Sequence, residues 1–171
     1  MSKIEKKFHL PAIGAPWREA FILGKKERGC IFCRRIRRKK DKADLILYRG
    51  KKNFVIMNLY PYTSGHLMIV PNRHISLLSD LTPEESAEMM GLAARAVEGM
   101  KKALSPEGFN LGMNLGRAAG AGVAGHLHLH LVPRWAGDAN FMPVVGKTKV
   151  FSVGLQKIYD LLYPRLKGKK K

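Results

Sequence analysis

Histidine occupies every second position of Gly125-His126-Leu127-His128-Leu129-His130-Leu131-Val132-Pro133-Arg134-Trp135, and leucine fills the gaps. A period of two is the period of a β-strand, whose alternate side chains point to opposite faces. The spacing therefore predicts a strand with His126, His128 and His130 in one polar row and Leu127, Leu129 and Leu131 facing a core. Burying an imidazole without partners costs about 1–3 kcal/mol, so packing alone is a poor reason for three of them. Two chemistries fit. Histidines at i and i+2 chelate a metal well, and three with a water would make a catalytic zinc site. Alternatively, a neutral imidazole attacks phosphorus and leaves again, which splits one displacement into two easier ones. The bland alternative is a set of satisfied structural histidines. A small-residue loop, Leu115-Gly116-Arg117-Ala118-Ala119-Gly120-Ala121-Gly122-Val123-Ala124-Gly125, runs directly into this row. Such a loop lets backbone N–H groups approach an anion closely, which makes it a candidate phosphate cradle.

Positioning this row requires a sheet and something to back it. Leu45–Tyr48, Phe54–Leu59, His66–Val70 and Phe109–Asn114 read as further strands, with a turn at Gly50–Asn53 and a loop at Tyr60–Gly65. Asp80–Ala103 reads as a helix. Thr82 is its N-cap, Pro83 its first residue and Glu85 the partner in a capping box. Met89, Ala93, Ala96 and Met100 recur at helical spacing as a core stripe. Leu155–Leu166 reads as a last helix with Leu155, Ile158, Leu161 and Leu162 on one face, and Pro16-Trp17-Arg18 as surface chain.

The length of 171 residues predicts one domain, 1–166, with a core at about 29–145 and a disordered basic tail at 167–171. The formal net charge is +18, concentrated at Lys25–Arg28, Arg34–Lys42 and Lys167–Lys171. Arg34–Lys42 is too charged for a core and reads as an exposed helix end or loop. Acids are scarce, which favours an anionic partner, nucleotide or nucleic acid, over a merely solvated surface. No apolar run reaches the length of a membrane span, and the first residues lead into no secretory segment. With Cys30 and Cys33 as its only cysteines, the chain has no disulfide framework, and a reducing cytoplasm is the expected compartment. In Cys30-Ile31-Phe32-Cys33 the two thiols can reach one metal ion.

His126-Leu127-His128-Leu129-His130-Leu131-Val132 resembles the H-x-H-x-H-x-x signature of the histidine-triad (HIT) superfamily. Asn58–Pro71 is similar to that family's central hairpin, and Cys30–Cys33 to its N-terminal metal motif. Pro16-Trp17-Arg18, the Ala119–Gly122 loop and Pro133–Phe141 are similar to its bacterial diadenosine tetraphosphate phosphorylase branch. The resemblance implies an α+β fold, an antiparallel sheet of about five strands with two packed helices, in a homodimer. It implies that His128 is the nucleophile on a nucleotide α-phosphorus, with His130 by the phosphate and leaving-group oxygens and His66 supporting the row. Asn58 corresponds to the ribose position and Asn114 to a phosphate contact. Gly120 and Gly122 would supply backbone donors, helped by Arg117. Phe54, Ile56 and Leu59 are base-pocket candidates that core packing explains equally well. The family's zinc-carrying members complete a structural site that here maps to Cys30, Cys33, His74 and His126.

The implied activity is phosphorolysis of diadenosine tetraphosphate to ADP and ATP, with inorganic phosphate as second substrate. The loop before the triad lacks the Gln and Ser or Thr donors of the hydrolase and phosphoramidase branches, which favours the phosphorylase. A hydrolase of dinucleoside polyphosphates or nucleoside phosphoramidates on the same His128 chemistry is the alternative. A non-catalytic nucleotide- or RNA-binding protein using the basic clusters is the second alternative.

Overall fold

The computed structural model describes residues 29–138, Val145 and residues 153–167. Its elements are α1 (Ile31–Arg38), α2 (Asp41–Asp44), β1 (Ile46–Arg49), β2 (Asn53–Met57), β3 (Leu67–Pro71), a 3-10 turn (Leu78–Asp80), α3 (Pro83–Leu104), β4 (Gly108–Gly112), β5 (Leu129–Arg134) and α4 (Leu155–Lys167). The strands form one antiparallel sheet in the order β1-β2-β3-β5-β4. Pro16-Trp17-Arg18, residues 25–28, residues 139–141 and residues 168–171 lie outside the described residues.

Each face of the sheet has its own core, because side chains alternate along every strand. Val55, Met57, Leu67, Ile69, Leu129 and Leu131 point toward α3 and α4. They meet Met89, Ala93, Ala96 and Met100 of the expected stripe, together with Ile158, Tyr159, Leu162 and Leu166. Phe54, Ile56, Met68 and Val70 point the other way and are covered by Phe32 and Ile36 of α1. The expected apolar face of α4 is therefore corrected. Tyr159 and Leu166 are buried while Leu155 and Leu161 are only half-buried, and the Tyr159 hydroxyl donates to the Ile46 carbonyl at 3.1 Å.

The start of α3 is built as its sequence requires. Thr82 Oγ1 accepts from the Glu85 N–H while the Glu85 carboxylate accepts from the Thr82 N–H, an arrangement worth about 1 kcal/mol. One turn later Glu88 accepts the backbone N–H groups of Lys51, Lys52 and Asn53 at 2.7–2.8 Å and the Asn53 amide at 3.1 Å. Burial pushes the Glu88 carboxyl up, but these donors outweigh it and hold the group below its ordinary value. The β1–β2 turn is thereby fixed to α3.

The charged stretch after Cys33 differs from the expected helix end or loop. Residues 31–38 form a full helix that buries Phe32 against the sheet. Phe32 and Ile36 fall one turn apart, so a single apolar stripe suffices to dock a helix in which arginine fills positions 34, 35, 37 and 38.

Candidate active site and metal centre

The histidine row is not one strand. Only His130 lies within β5; His126 and His128 precede it without ladder pairing, His126 at a bend where its N–H donates to the Val123 carbonyl at 3.3 Å. The backbone there turns to other partners: the Leu127 N–H donates to the Ile75 carbonyl at 2.7 Å. His126 and His128 still share a side, since both pack on Phe32. His126, His128 and His130 are all buried, as is His66.

Backbone partners assign the proton of each ring. His128 Nδ1 lies 2.8 Å from the His126 carbonyl and must donate to it, which leaves Nε2 with the lone pair. The Tyr62 N–H donates to His66 Nδ1 at 3.1 Å, so His66 carries its proton on Nε2. That proton is donated to His130 Nδ1 at 2.8 Å, which places the His130 proton on Nε2. Thus two rings 4.7 Å apart present opposite faces of imidazole chemistry, His128 an acceptor and His130 a donor. Burial lowers the pKa of His128, and burial with the neighbouring His128 lowers that of His130 to about 4. Both rings are neutral at pH 7.

His128 and His130 line a cleft of about 650 Å³ together with Asn58, Leu59, Gly120 and Gly122. Asn58 Oδ1 accepts from the Tyr60 N–H at 2.9 Å, and its amide lies 3.3 Å from His66 Nδ1. Gly120 has φ +83°, a backbone conformation open mainly to glycine. Phe54 and Ile56 do not line the cleft: both are fully buried in the core behind it. Arg117 is exposed on the loop and lines neither this cleft nor its neighbour. Asn114 lines the neighbouring cleft, of about 500 Å³, which shares Tyr62 and His130 with the first.

Reading the sequence overlooked two aromatic residues. Tyr62 stacks on His130 at 5.7 Å between ring centres and packs against His66 at 4.5 Å with the rings tilted by 40°. Phe32 packs against His126 and His128 at 5.4 and 5.3 Å. Phe32 sits between the two cysteines, which was the available signal; Tyr62 sits in a loop and gave none.

Cys30, Cys33, His74 and His126 come together, with one donor atom of each within 4.8 Å of all the others. The fit to zinc can be tested by distance. Tetrahedral zinc, with bonds of about 2.3 Å to sulfur and 2.05 Å to nitrogen, separates two nitrogens by about 3.3 Å and a sulfur from a nitrogen by about 3.5 Å. The two Nδ1 atoms are 3.2 Å apart, and three of the four sulfur–nitrogen separations are 3.2, 3.4 and 3.6 Å. His126 Nε2 donates to the Pro71 carbonyl at 3.0 Å, which leaves its Nδ1 lone pair facing the thiols. Burial keeps His126 neutral and raises the Cys33 thiol pKa, aided by the Cys30 thiol; a cation between them removes that penalty. The donor set suits a closed structural site, with no coordination position left for substrate.

The HIT domain family profile matches residues 39–137. An AP-4-A phosphorylase of Mycobacterium tuberculosis is 50% identical over 122 residues, covering 71% of this chain and 63% of that protein. The chain thus spans less than two thirds of that relative's length. An uncharacterised HIT-like protein of Methanocaldococcus jannaschii is 30% identical over 75% of this chain and 95% of its own. A zinc-bound histidine triad family protein of Mycobacterium smegmatis superposes with a TM-score of 0.66 at 27% identity, covering 81% of this chain and 93% of that one. Among the described residues no helix is long and apolar enough to cross a membrane.

Proposed function

The chain belongs to the HIT domain family, and from that premise we propose that it is a nucleotidyltransferase that cleaves diadenosine tetraphosphate by phosphorolysis. The observation that carries the reading is the pairing of a lone pair on His128 Nε2 with a proton on His130 Nε2 at the wall of one cleft. In the first step His128 Nε2 attacks the α-phosphorus, the bond from that phosphorus to its bridging oxygen breaks, and ATP departs. The His130 proton supports the charge that develops on the phosphate oxygens. In the second step an oxygen of inorganic phosphate attacks the same phosphorus, the phosphorus–nitrogen bond breaks, and ADP is released with neutral His128 restored. The sum is diadenosine tetraphosphate plus phosphate giving ATP plus ADP.

Asn58 and Leu59 would hold the ribose and base and Gly122 would offer its backbone N–H to the phosphate, whereas the Gly120 N–H is donated to the Arg117 carbonyl at 3.0 Å and Gly120 serves to shape the loop. The metal, when bound to Cys30, Cys33, His74 and His126, supplies rigidity and no Lewis acid to the reaction. It fixes residue 126, whose carbonyl orients the His128 ring. The choice of phosphorolysis is supported by 50% identity to a protein named as a phosphorylase and by a loop that offers no side-chain donor but Arg117.

The same proposal takes residues 1–166 as one domain of a cytoplasmic homodimer. β4, at the open edge of the sheet, supports the dimer. The basic runs leave nucleic acid as a further partner. Product analysis tests the central choice. With labelled inorganic phosphate, label should appear in ADP and turnover should require phosphate. AMP formed at a rate indifferent to phosphate would instead establish the hydrolase.

A further inference from the structure

The second cleft adjoins the first across His130 and Tyr62. Three observations bear on its use. It lies on the catalytic face: Gly112 is the β4 partner of His130, and Asn110 the partner of Val132. The second cleft is left open beside His130 by a missing side chain, that of Gly112. Gly112 has no positive φ to demand glycine, and a Cβ built there meets nothing within 4 Å. The lining combines apolar surface from Tyr62 and Val132 with side-chain amides from Asn110 and Asn114. Arg134 reaches across it to Asn110 Oδ1 at 2.8 Å, but Asp138 neutralises this arginine at 2.6 and 2.9 Å. A neutral, largely apolar hollow with a few amides suits a nucleoside better than a polyphosphate chain.

We propose that the second cleft is the binding site for the leaving-group nucleoside, so that a dinucleoside polyphosphate bridges the two clefts past His128 and His130. The inference rests on the nucleotidyltransferase reading for its substrate. The polyphosphate crosses at the histidines and Asn114, one adenosine occupies the first cleft, and the other meets Tyr62 and Asn110. A substrate with a second nucleoside is then held at both ends, whereas one ending in phosphate is held at one.

Calorimetry on a His128→Asn variant, which has no nucleophile to consume the probes, compares diadenosine tetraphosphate with adenosine 5′-tetraphosphate. These share the phosphate chain and differ in the second nucleoside. The dinucleotide should bind about tenfold more tightly. Adding Gly112→Val, which fills the second cleft beside His130, or Asn110→Ala, which leaves the backbone untouched, should erase that preference. Bound zinc and circular dichroism report whether each variant is folded. Equal affinity for the two probes, or a preference that survives both substitutions, would overturn the inference. The binding comparison stands apart from catalysis. If wild-type protein turns over neither compound while the preference is present, the nucleotidyltransferase reading fails and the two-cleft site remains.

Discussion

Replacing His66 by alanine tests whether the proton order of the histidines matters. His66 is buried, takes the Tyr62 N–H on Nδ1 and donates Nε2–H to His130 at 2.8 Å. Alanine removes that donor and leaves His130 Nδ1 facing a void in a buried site. An orphaned buried acceptor costs about 1–3 kcal/mol, equivalent to about 5–150-fold in rate if it falls on the transition state. His130 also loses the partner that assigns its proton to Nε2, and one well-aimed donor contributes about 10²–10³ in rate. Together these set an expected fall in kcat of about 30-fold or more, with a smaller rise in KM, because His66 also touches the Asn58 amide at 3.3 Å and accepts from the Tyr62 N–H in the first cleft. His66→Gln keeps an N–H donor of similar reach and should recover much of the loss. The assay is steady-state turnover of diadenosine tetraphosphate with saturating phosphate, on protein verified to retain its metal. An alanine variant within twofold of wild type, or a glutamine variant no better than alanine, would refute the assigned proton order.

Two further outcomes follow from the geometry. Protein purified without chelators should carry zinc at one ion per chain, and Cys33→Ser or chelation should remove it. The melting temperature should then fall by about 10 °C, reflecting several kcal/mol of metal-linked stability; an unchanged melting curve would show that the cluster is not a folding element. The Arg73 side chain donates to Glu85 at 2.7 and 2.8 Å, and this holds the Glu85 carboxyl at a pKa of about 2, well below its ordinary 4.5. A depressed folded-state pKa contributes stability that is complete above the ordinary carboxyl value and is lost as pH falls toward the folded value. The stability difference between wild type and Glu85→Gln in urea should therefore be constant above about pH 5 and shrink between 4.5 and about 2. A difference independent of pH across that window would mean the ion pair contributes nothing.

The sequence is most informative where one physical demand dominates. Thr82, Pro83 and Glu85 specify a helix start by local hydrogen bonding alone, and α3 begins there. Of the cluster of Cys30, Cys33, His74 and His126, the residues themselves point only to the two thiols; the two histidines are legible through the resemblance to zinc-carrying family members. Other features depend on neighbours distant in the chain. Phe54 and Ile56 are apolar in either a base pocket or a core, and only the docking of Phe32 onto them shows that they are core. The alternation of His126, His128 and His130 reads as a strand, but pairing extends only to Leu129 because the backbone before it is engaged by Ile75. Tyr62 gave no signal, since its packing on two histidines follows from the path of a loop rather than from any period. The division of Asn114 from Asn58 between two clefts also needed the register of β4 on β5.

The central claim is that neutral His128 attacks phosphorus through Nε2, the nitrogen left free by its bond to the His126 carbonyl. The most direct measurement is to mix the protein with labelled diadenosine tetraphosphate in the absence of phosphate, quench in alkali, and map the label. The account predicts an acid-labile, alkali-stable adenylyl group on His128, released as ADP when phosphate is added before the quench, and absent from His128→Asn. Turnover without any such adduct, or an adduct on another residue, would contradict it.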